Sequence, residues 1–333
     1  MSNNSNTTRF DIYGIGAALV DTEIAVSVKD LDALAVEKGV MTLVDEARQL
    51  ELITKLGQTL EQAELASGGS AANTIIAASY FGANCFYSCR VSDDENGTFY
   101  LNDLSRGGVS YPKSATKPGG ITGKCLVMIT PDAERSMNTF LGISETIDDS
   151  AIDEGALKQS HYAYIEGYLV TSQSGKPAAI RLKELAKTHQ VKVALSLSDP
   201  AIVEYFHDGL SEIIGDGVDL LFCNEAEAMA FTKTSNVNDA FDALKTISKT
   251  FVITLGSQGA LLFDGKQRIQ VEAPEVQAID TNGAGDMFAG AFMSALKKDP
   301  SFEKAGTFAC KAAAKIVSQF GPRLKPEQYS EIK

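Results

Sequence analysis

The sequence predicts an α/β protein with a mostly parallel central sheet and a small β-rich lid. Strand-length apolar runs alternate with helix-length amphipathic runs through the second half, the order expected of βαβ units around a parallel sheet. Two stretches, roughly 17–42 and 108–140, break that rhythm. The second holds two strand-like runs around the turn signal PDAER (131–135) and has no crossover helix, so a hairpin is expected there.

In chain order, strands are expected at 10–19, 84–91, 123–130, 136–142, 161–167, 191–198, 218–224, 251–256 and 259–264. Each is a short apolar run, several of them rich in β-branched or aromatic residues. Helices are expected at 43–57, 70–82, 175–190, 225–232, 239–248, 284–298 and 302–320, where the pattern is helical. The chain then divides into a polar, disordered tail (1–9), a large domain (10–16, 43–107 and 141–333) and a lid (17–42 and 108–140). A lid of this kind would cover strand ends, where open α/β sheets bind ligands.

Composition narrows the function. The 333 residues are 44% hydrophobic, enough for a sizeable core. The formal net charge of −13 argues against nucleic acid or an anionic membrane surface as partner. A phosphorylated small molecule stays open, with local neutralisation by a metal, a basic side chain or backbone amides. Cys85, Cys89, Cys125, Cys223 and Cys310 form no CxxC and sit mostly in apolar runs, so buried, reduced thiols are expected. The start, MSNNSNTTRF, has no apolar segment of signal-peptide type, and no run reaches the ~18 residues that span a bilayer. A cytoplasmic protein is expected.

Three motif fragments fail on spacing. GIGAAL (14–19) has Leu19 where a dinucleotide fingerprint needs its third glycine. GGITGKC (119–125) has Pro118 at the first P-loop glycine and Cys125 in place of the Ser or Thr that holds Mg²⁺. His161, His189 and His207 have no metal-ligand spacing, and no GxSxG elbow is present.

The segment DTNGAGDMFAGAF (280–292) is different. It joins a strand-like end to an apolar helix, so NGAG opens a helix N-terminus. First-turn amides have no internal partner and carry the positive end of the helix dipole. Glycines let that backbone approach an anion, and the amides of Asn282, Gly283, Ala284 and Gly285 would suit a phosphoryl group. Asp286, beside them, could accept a proton from an attacking hydroxyl. Spacing alone equally allows Asp280, Thr281 and Asp286 to be simple helix caps.

DTNGAGDMFAGAF resembles the C-terminal signature of the PfkB (ribokinase-like) family of carbohydrate and nucleoside kinases. ASGGSAANT (66–74) resembles the N-terminal signature, NEAE (224–227) the N-x-x-E element, and TLGSQG (254–259) the nucleotide-side glycine segment. The four occur in the family's order, and the resemblance runs from about Phe10 to Arg323. It implies a ribokinase-like three-layer α/β/α fold and an ATP-dependent kinase. Asp286 would be the catalytic base and Gly283, Ala284 and Gly285 the anion hole. Asn224 and Glu227 would organise Mg²⁺ through water. Thr254, Gly256, Gly259, Thr281 and Asn224 would line the ATP site. Asp21, Gly68, Gly69 and Asn73 would bind the acceptor's hydroxyls. A monovalent cation near the anion hole is a further possibility of the family, and either a monomer or a homodimer is compatible with it.

GGSAAN, SLSDP (196–200) and EGYL (166–169) resemble the adenosine kinase branch more than the ribokinase branch. Tyr168 would be the aromatic that stacks on a purine, a contact worth about 1–3 kcal/mol by analogy with nucleic-acid stacking. Ala17 departs from that branch, where Asn is usual before the Asp. Arg135 and Asn138, on the expected lid, would close over the acceptor or contact phosphate. The expected function is phosphorylation of a nucleoside's primary hydroxyl, adenosine first. The alternatives are a sugar kinase of the same fold (ribose, fructose or a deoxy sugar acid) and a silent nucleoside- or sugar-binding regulator.

Overall fold

A computed structural model describes residues 9–57, 60, 64–132 and 134–332. Apart from Arg9, the tail expected to be disordered lies outside the described residues.

The strands are β1 (Phe10–Ile15), β2 (Leu19–Ala25), β3 (Met41–Leu43), β4 (Glu64–Gly68), β5 (Cys85–Ser88), β6 (Val91–Ser92), β7 (Thr116–Lys117), β8 (Gly123–Ile129), β9 (Arg135–Phe140), β10 (Ser160–Glu166), β11 (Lys192–Ser196), β12 (Val218–Asn224), β13 (Ser248–Thr254), β14 (Ala260–Phe263) and β15 (Arg268–Val271). The helices are α1 (Val28–Leu34), α2 (Glu46–Leu56), α3 (Ser70–Tyr80), α4 (Glu95–Arg106), α5 (Glu154–Leu157), α6 (Gly175–Thr188), α7 (Pro200–Tyr205), α8 (His207–Ile214), α9 (Glu225–Thr232), α10 (Val237–Leu244), α11 (Ala284–Lys298) and α12 (Phe302–Val317).

The large sheet runs β15-β14-β13-β12-β11-β10-β1-β5. From β13 to β5 all neighbours are parallel, while β14 and β15 close one edge as antiparallel strands. Side-chain alternation divides the strands between two cores. Leu220 and Phe222 of β12 join α3, α11 and α12 on one face. Leu221 and Cys223 join α6, α8, α9 and α10 on the other. The three-layer expectation is met, and all five cysteines are buried and unbridged.

A second sheet has the order β3-β9-β8-β2-β4. Its β8–β9 hairpin is antiparallel and pairs Ile129 with Arg135 across the expected turn. Ile24, Leu126 and Met128 on one face meet Leu31 and Leu34 of α1 and Leu52 and Leu56 of α2.

The expected boundaries need adjustment. Residues 43–107 were assigned whole to the large domain, yet α2 and β4 belong to the smaller sheet. Periodicity reveals an amphipathic helix but not the sheet it covers, and ELASG carries no apolar run. The strand expected at 10–19 breaks at Gly16–Ala18. A Cβ at Gly16 would lie 2.5 Å from the Glu166 carboxyl, and the chain turns there into the smaller sheet. Helix α4 carries weak helix signals because of Gly97, where a Cβ would lie 2.1 Å from Ser92 O.

Among the described residues no helix is long and apolar enough to cross a membrane.

Candidate active site

Two helix N-termini meet at the centre of the molecule. Helices α3 and α11 pack closely at Gly290, where an added Cβ would lie 2.5 Å from Thr74 O. The first turns of α3 and α11 therefore face the same cavity, of about 500 Å³.

Gly283 is the N-cap of α11, at φ 72°, and a Cβ there would lie 2.5 Å from Pro322 O. Only glycine combines that backbone with that space. The preceding turn is held by Asp280: its Oδ1 accepts from Asn282 N (3.0 Å) and its Oδ2 from Gly321 N (2.9 Å). The Asn282 amide, expected in the anion hole, is thus already engaged. Ala284 N donates to Thr281 O at 3.3 Å. Among the described residues the amides of Gly283, Gly285 and Asp286 have no acceptor, and these remain to meet an anion.

Asp286 does not cap its helix, which has no side-chain cap. It turns across to α3 instead. Its Oδ1 accepts from Ser70 Oγ (2.6 Å) and its Oδ2 from Asn73 Nδ2 (3.3 Å). Burial raises its pKa to about 6, against the pull of those two bonds. It is therefore ionised at neutral pH yet more basic than an exposed carboxylate, as proton acceptance needs.

Asp21 faces the cavity from β2. Gly68, on the neighbouring β4, leaves room for it, since a Cβ there would lie 2.1 Å from Asp21 Oδ2. Gly68 acts through Asp21 and does not itself line the cavity. Gly69, at φ 95°, approaches Ala17 O as the N-cap of α3. Burial raises the Asp21 pKa to about 7, with Arg323 and Arg135 opposing and Glu23 and Asp286 adding to the rise. Asn73 Oδ1 is buried without a donor, which leaves it free for a ligand hydroxyl. Tyr168, in the turn after β10, also lines the cavity.

Two expected acceptor residues sit elsewhere. Met137 and Thr139 of β9 line the cavity and Asn138 does not. With a period of two, Asn138 faces the opposite side of the sheet, where its Nδ2 finds no acceptor among the described residues. Arg135 shares the phase of Met137, but its guanidinium is engaged by carboxylates: Nη1 donates to Glu23 Oε1 (2.9 Å) and Nη2 meets Asp280 Oδ2 (2.5 Å).

Asn224 and Glu227 form a capping box at the start of α9. Asn224 Oδ1 accepts from Glu227 N (2.8 Å), and Glu227 Oε2 accepts from Asn224 N (3.0 Å). Glu227 is not a solvated surface acid: it is 5% exposed, and burial raises its pKa to about 7, with Asp199 and Asp286 adding to the rise. Thr254, which pairs with Asn224 across β12–β13, Gly256 and Thr281 also line the cavity. Gly259 does not; it closes the β13–β14 turn, where a Cβ would lie 2.0 Å from Val271 O.

Neither local pattern nor resemblance points to Glu166 or Ser70. Glu166 accepts from Ala17 N (2.6 Å) and Ala71 N (2.8 Å), tying the turn before β2, which carries Asp21, to the first turn of α3, which carries Asn73. Burial raises its pKa to about 7. Its only trace in the sequence is the acid that ends the apolar run HYAYIE. Ser70 gives no such signal, because its partner is 216 residues away.

Asp286, Glu166, Glu227 and Asp21 thus surround one cavity with raised pKa values, a setting that favours a cationic ligand or a metal ion. Among the described residues no cluster of three His, Cys, Asp or Glu side chains could enclose a metal by itself. The oxygen donors of Asn224 and Glu227 do fit a hard ion such as Mg²⁺, which takes most of its shell from water and phosphate.

The class of protein is a phosphotransferase with an alcohol group as acceptor. Residues 40–328 match the model described as pfkB family carbohydrate kinase, and the chain belongs to that family. It is 31% identical to a ribokinase of Haemophilus influenzae over 290 residues, covering 83% of this chain and 90% of the relative. It is 27% identical to an adenosine kinase of Saccharomyces cerevisiae over 339 residues, 96% and 98% of the two chains. Among solved structures, the adenosine kinase of Sinorhizobium meliloti superposes with a TM-score of 0.89 at 30% identity, covering 97% of this chain and 99% of that one.

Proposed function

We propose that the protein transfers the γ-phosphate of ATP to a primary hydroxyl of a nucleoside, adenosine in the first place. One observation carries the transfer: Asp286 lies between free helix-terminal amides and the unsatisfied acceptor-side oxygen of Asn73. In this reading the acceptor's vicinal hydroxyls bind Asp21 and Asn73, and its reacting hydroxyl points at Asp286. As that hydroxyl attacks, Asp286 takes its proton. The amides of Gly283 and Gly285 receive the phosphoryl oxygens, with the helix dipole behind them. Thr254, Gly256 and Thr281 border the nucleotide. Asn224 and Glu227 would hold Mg²⁺ through water. When bound, that ion supplies charge neutralisation on the phosphates. The smaller sheet acts as the lid and excludes water from the transfer.

A nucleoside is favoured over a bare sugar by the apolar share of the cavity lining, which includes Leu19, Met41, Met137, Leu141, Ile202 and the ring of Tyr168. A flat base has a use for that surface, and a pentose does not. The sugar reading is supported by ribokinase relatives, among them the one at 31% identity. The test measures ADP release with Mg²⁺ and ATP against adenosine, other nucleosides, ribose and fructose. Adenosine should give AMP with the highest kcat/KM. Release of ADP with sugars and none with nucleosides would overturn the nucleoside assignment, and none with any alcohol would overturn the transfer reading.

A further inference from the structure

The β8–β9 hairpin touches the loop that opens α11. Arg135, the first residue of β9, reaches out of the smaller sheet to Asp280. Both are almost wholly buried, at 7% and 5% exposure. Asp280 is also the residue that holds Asn282 N and Gly321 N, so it sets the turn from which the free amides of Gly283 and Gly285 project. Glu23, on β2 of the same smaller sheet, takes the other side of the guanidinium. One arginine therefore spans the smaller sheet and the anion-binding loop.

We propose that Arg135 is a positioning residue for phosphoryl transfer. It latches the smaller sheet to the anion-binding loop through Asp280, so that the amide hole has its working shape while the sheet covers the cavity. This rests on the kinase reading above. It assigns Arg135 to the loop rather than to the acceptor, and two features support that. The guanidinium lies outside the cavity lining. Two of its nitrogens face carboxylates of the protein. The contact with Asp280 is a charge contact without hydrogen-bond alignment, and Nε has no acceptor among the described residues. In this proposal the link holds only while the smaller sheet sits against the loop. Such a latch couples covering of the site to assembly of the hole, so that transfer does not start with water in the site.

The test compares the full-length wild type with Arg135→Met, Arg135→Lys and Asp280→Asn, singly and as Arg135→Met/Asp280→Asn. The acceptor is adenosine, or ribose should the wild type turn over only ribose. Misplacing the amides by about 1 Å lowers kcat by roughly 10- to 100-fold. Arg135→Met should show that loss with the acceptor KM changed less than threefold, and Arg135→Lys, which keeps charge without the fork, should lie between it and wild type. The double variant should be no slower than the worse single variant, because both cut one link. A raised acceptor KM with kcat retained would place Arg135 on the acceptor and overturn the latch. So would multiplicative losses in the double variant. If Arg135→Met does not fold, the same criteria apply to Arg135→Lys and Asp280→Asn. Failure of the kinase reading is separate, since it appears as an inactive wild type.

Discussion

Replacing Asp286 by Asn removes the proposed base and little else. The new amide keeps both local bonds: its oxygen accepts from Asn73 Nδ2, and its NH2 donates to Ser70 Oγ, which can accept as well as donate. The substitution also removes a buried negative charge, so the fold should hold. A positioned general base contributes about 10²- to 10⁴-fold. At about 1.36 kcal/mol per decade, the barrier should rise by roughly 3–5 kcal/mol. The assay is steady-state ADP release from pH 5 to 8, with calorimetric binding of ATP and acceptor alongside. The wild-type kcat/KM should fall as pH drops through about 6, because protonated Asp286 cannot accept a proton. The variant should keep both affinities and lose at least two decades of kcat. Turnover within tenfold of wild type would refute the base assignment.

Other perturbations follow from the same geometry. Gly290→Ala inserts a Cβ 2.5 Å from Thr74 O, so α11 must retreat from α3; overpacking of this kind costs about 1–3 kcal/mol, visible as a lower Tm, and kcat should drop with it because Asp286 and its partners move apart. Glu227→Gln can keep the Asn224 N bond of the capping box but removes the charge and the Asn224 Nδ2 bond to the second oxygen. The Mg²⁺ concentration for half-maximal activity should rise by roughly 10- to 100-fold with only a small drop in Tm, as for an outer-sphere metal partner; an unchanged requirement would detach Glu227 from the metal. Asp21, Glu166, Glu227 and Asp286 all have folded pKa values raised by burial. The folded state therefore binds more protons than the unfolded one between the usual carboxylate range and about pH 7. Their contribution is full below about pH 4 and is lost as pH rises through 6 to 7. The ligand-free protein should melt lower at pH 7.5 than at pH 5.5, and Mg²⁺ with ATP should narrow that gap; a Tm that rises over this interval contradicts the burial of these acids.

The chain announces much of itself. Strand β12 and helices α9 and α11 coincide with the ranges expected from pattern alone, 218–224, 225–232 and 284–298. These elements are long, regular and locally determined, so periodicity and glycine placement suffice to find them. The same holds for the glycine-opened start of α11, because free amides at a helix N-terminus are a property of any helix. That Asp286 is a plausible base was legible from its place in the first turn and from the resemblance.

Tertiary structure decided what each group faces. A period of two is visible in β9, but only the packed sheet says that Met137 and Thr139 look into the cavity and Asn138 away from it. Arg135 is expected from the sequence to meet the acceptor or phosphate, and only the fold brings Glu23 and Asp280, 112 and 145 positions distant, against it. Spacing alone leaves Asp286 a possible cap of its own helix, and only the fold turns it across to Ser70 and Asn73 of α3. Glu166 had no visible role before Ala17 and Ala71 came within reach of its two oxygens. Local pattern follows from backbone geometry, which each short segment carries in itself. Charge pairing and burial depend on neighbours distant in sequence, and these are set only when the sheets and helices close around one cavity.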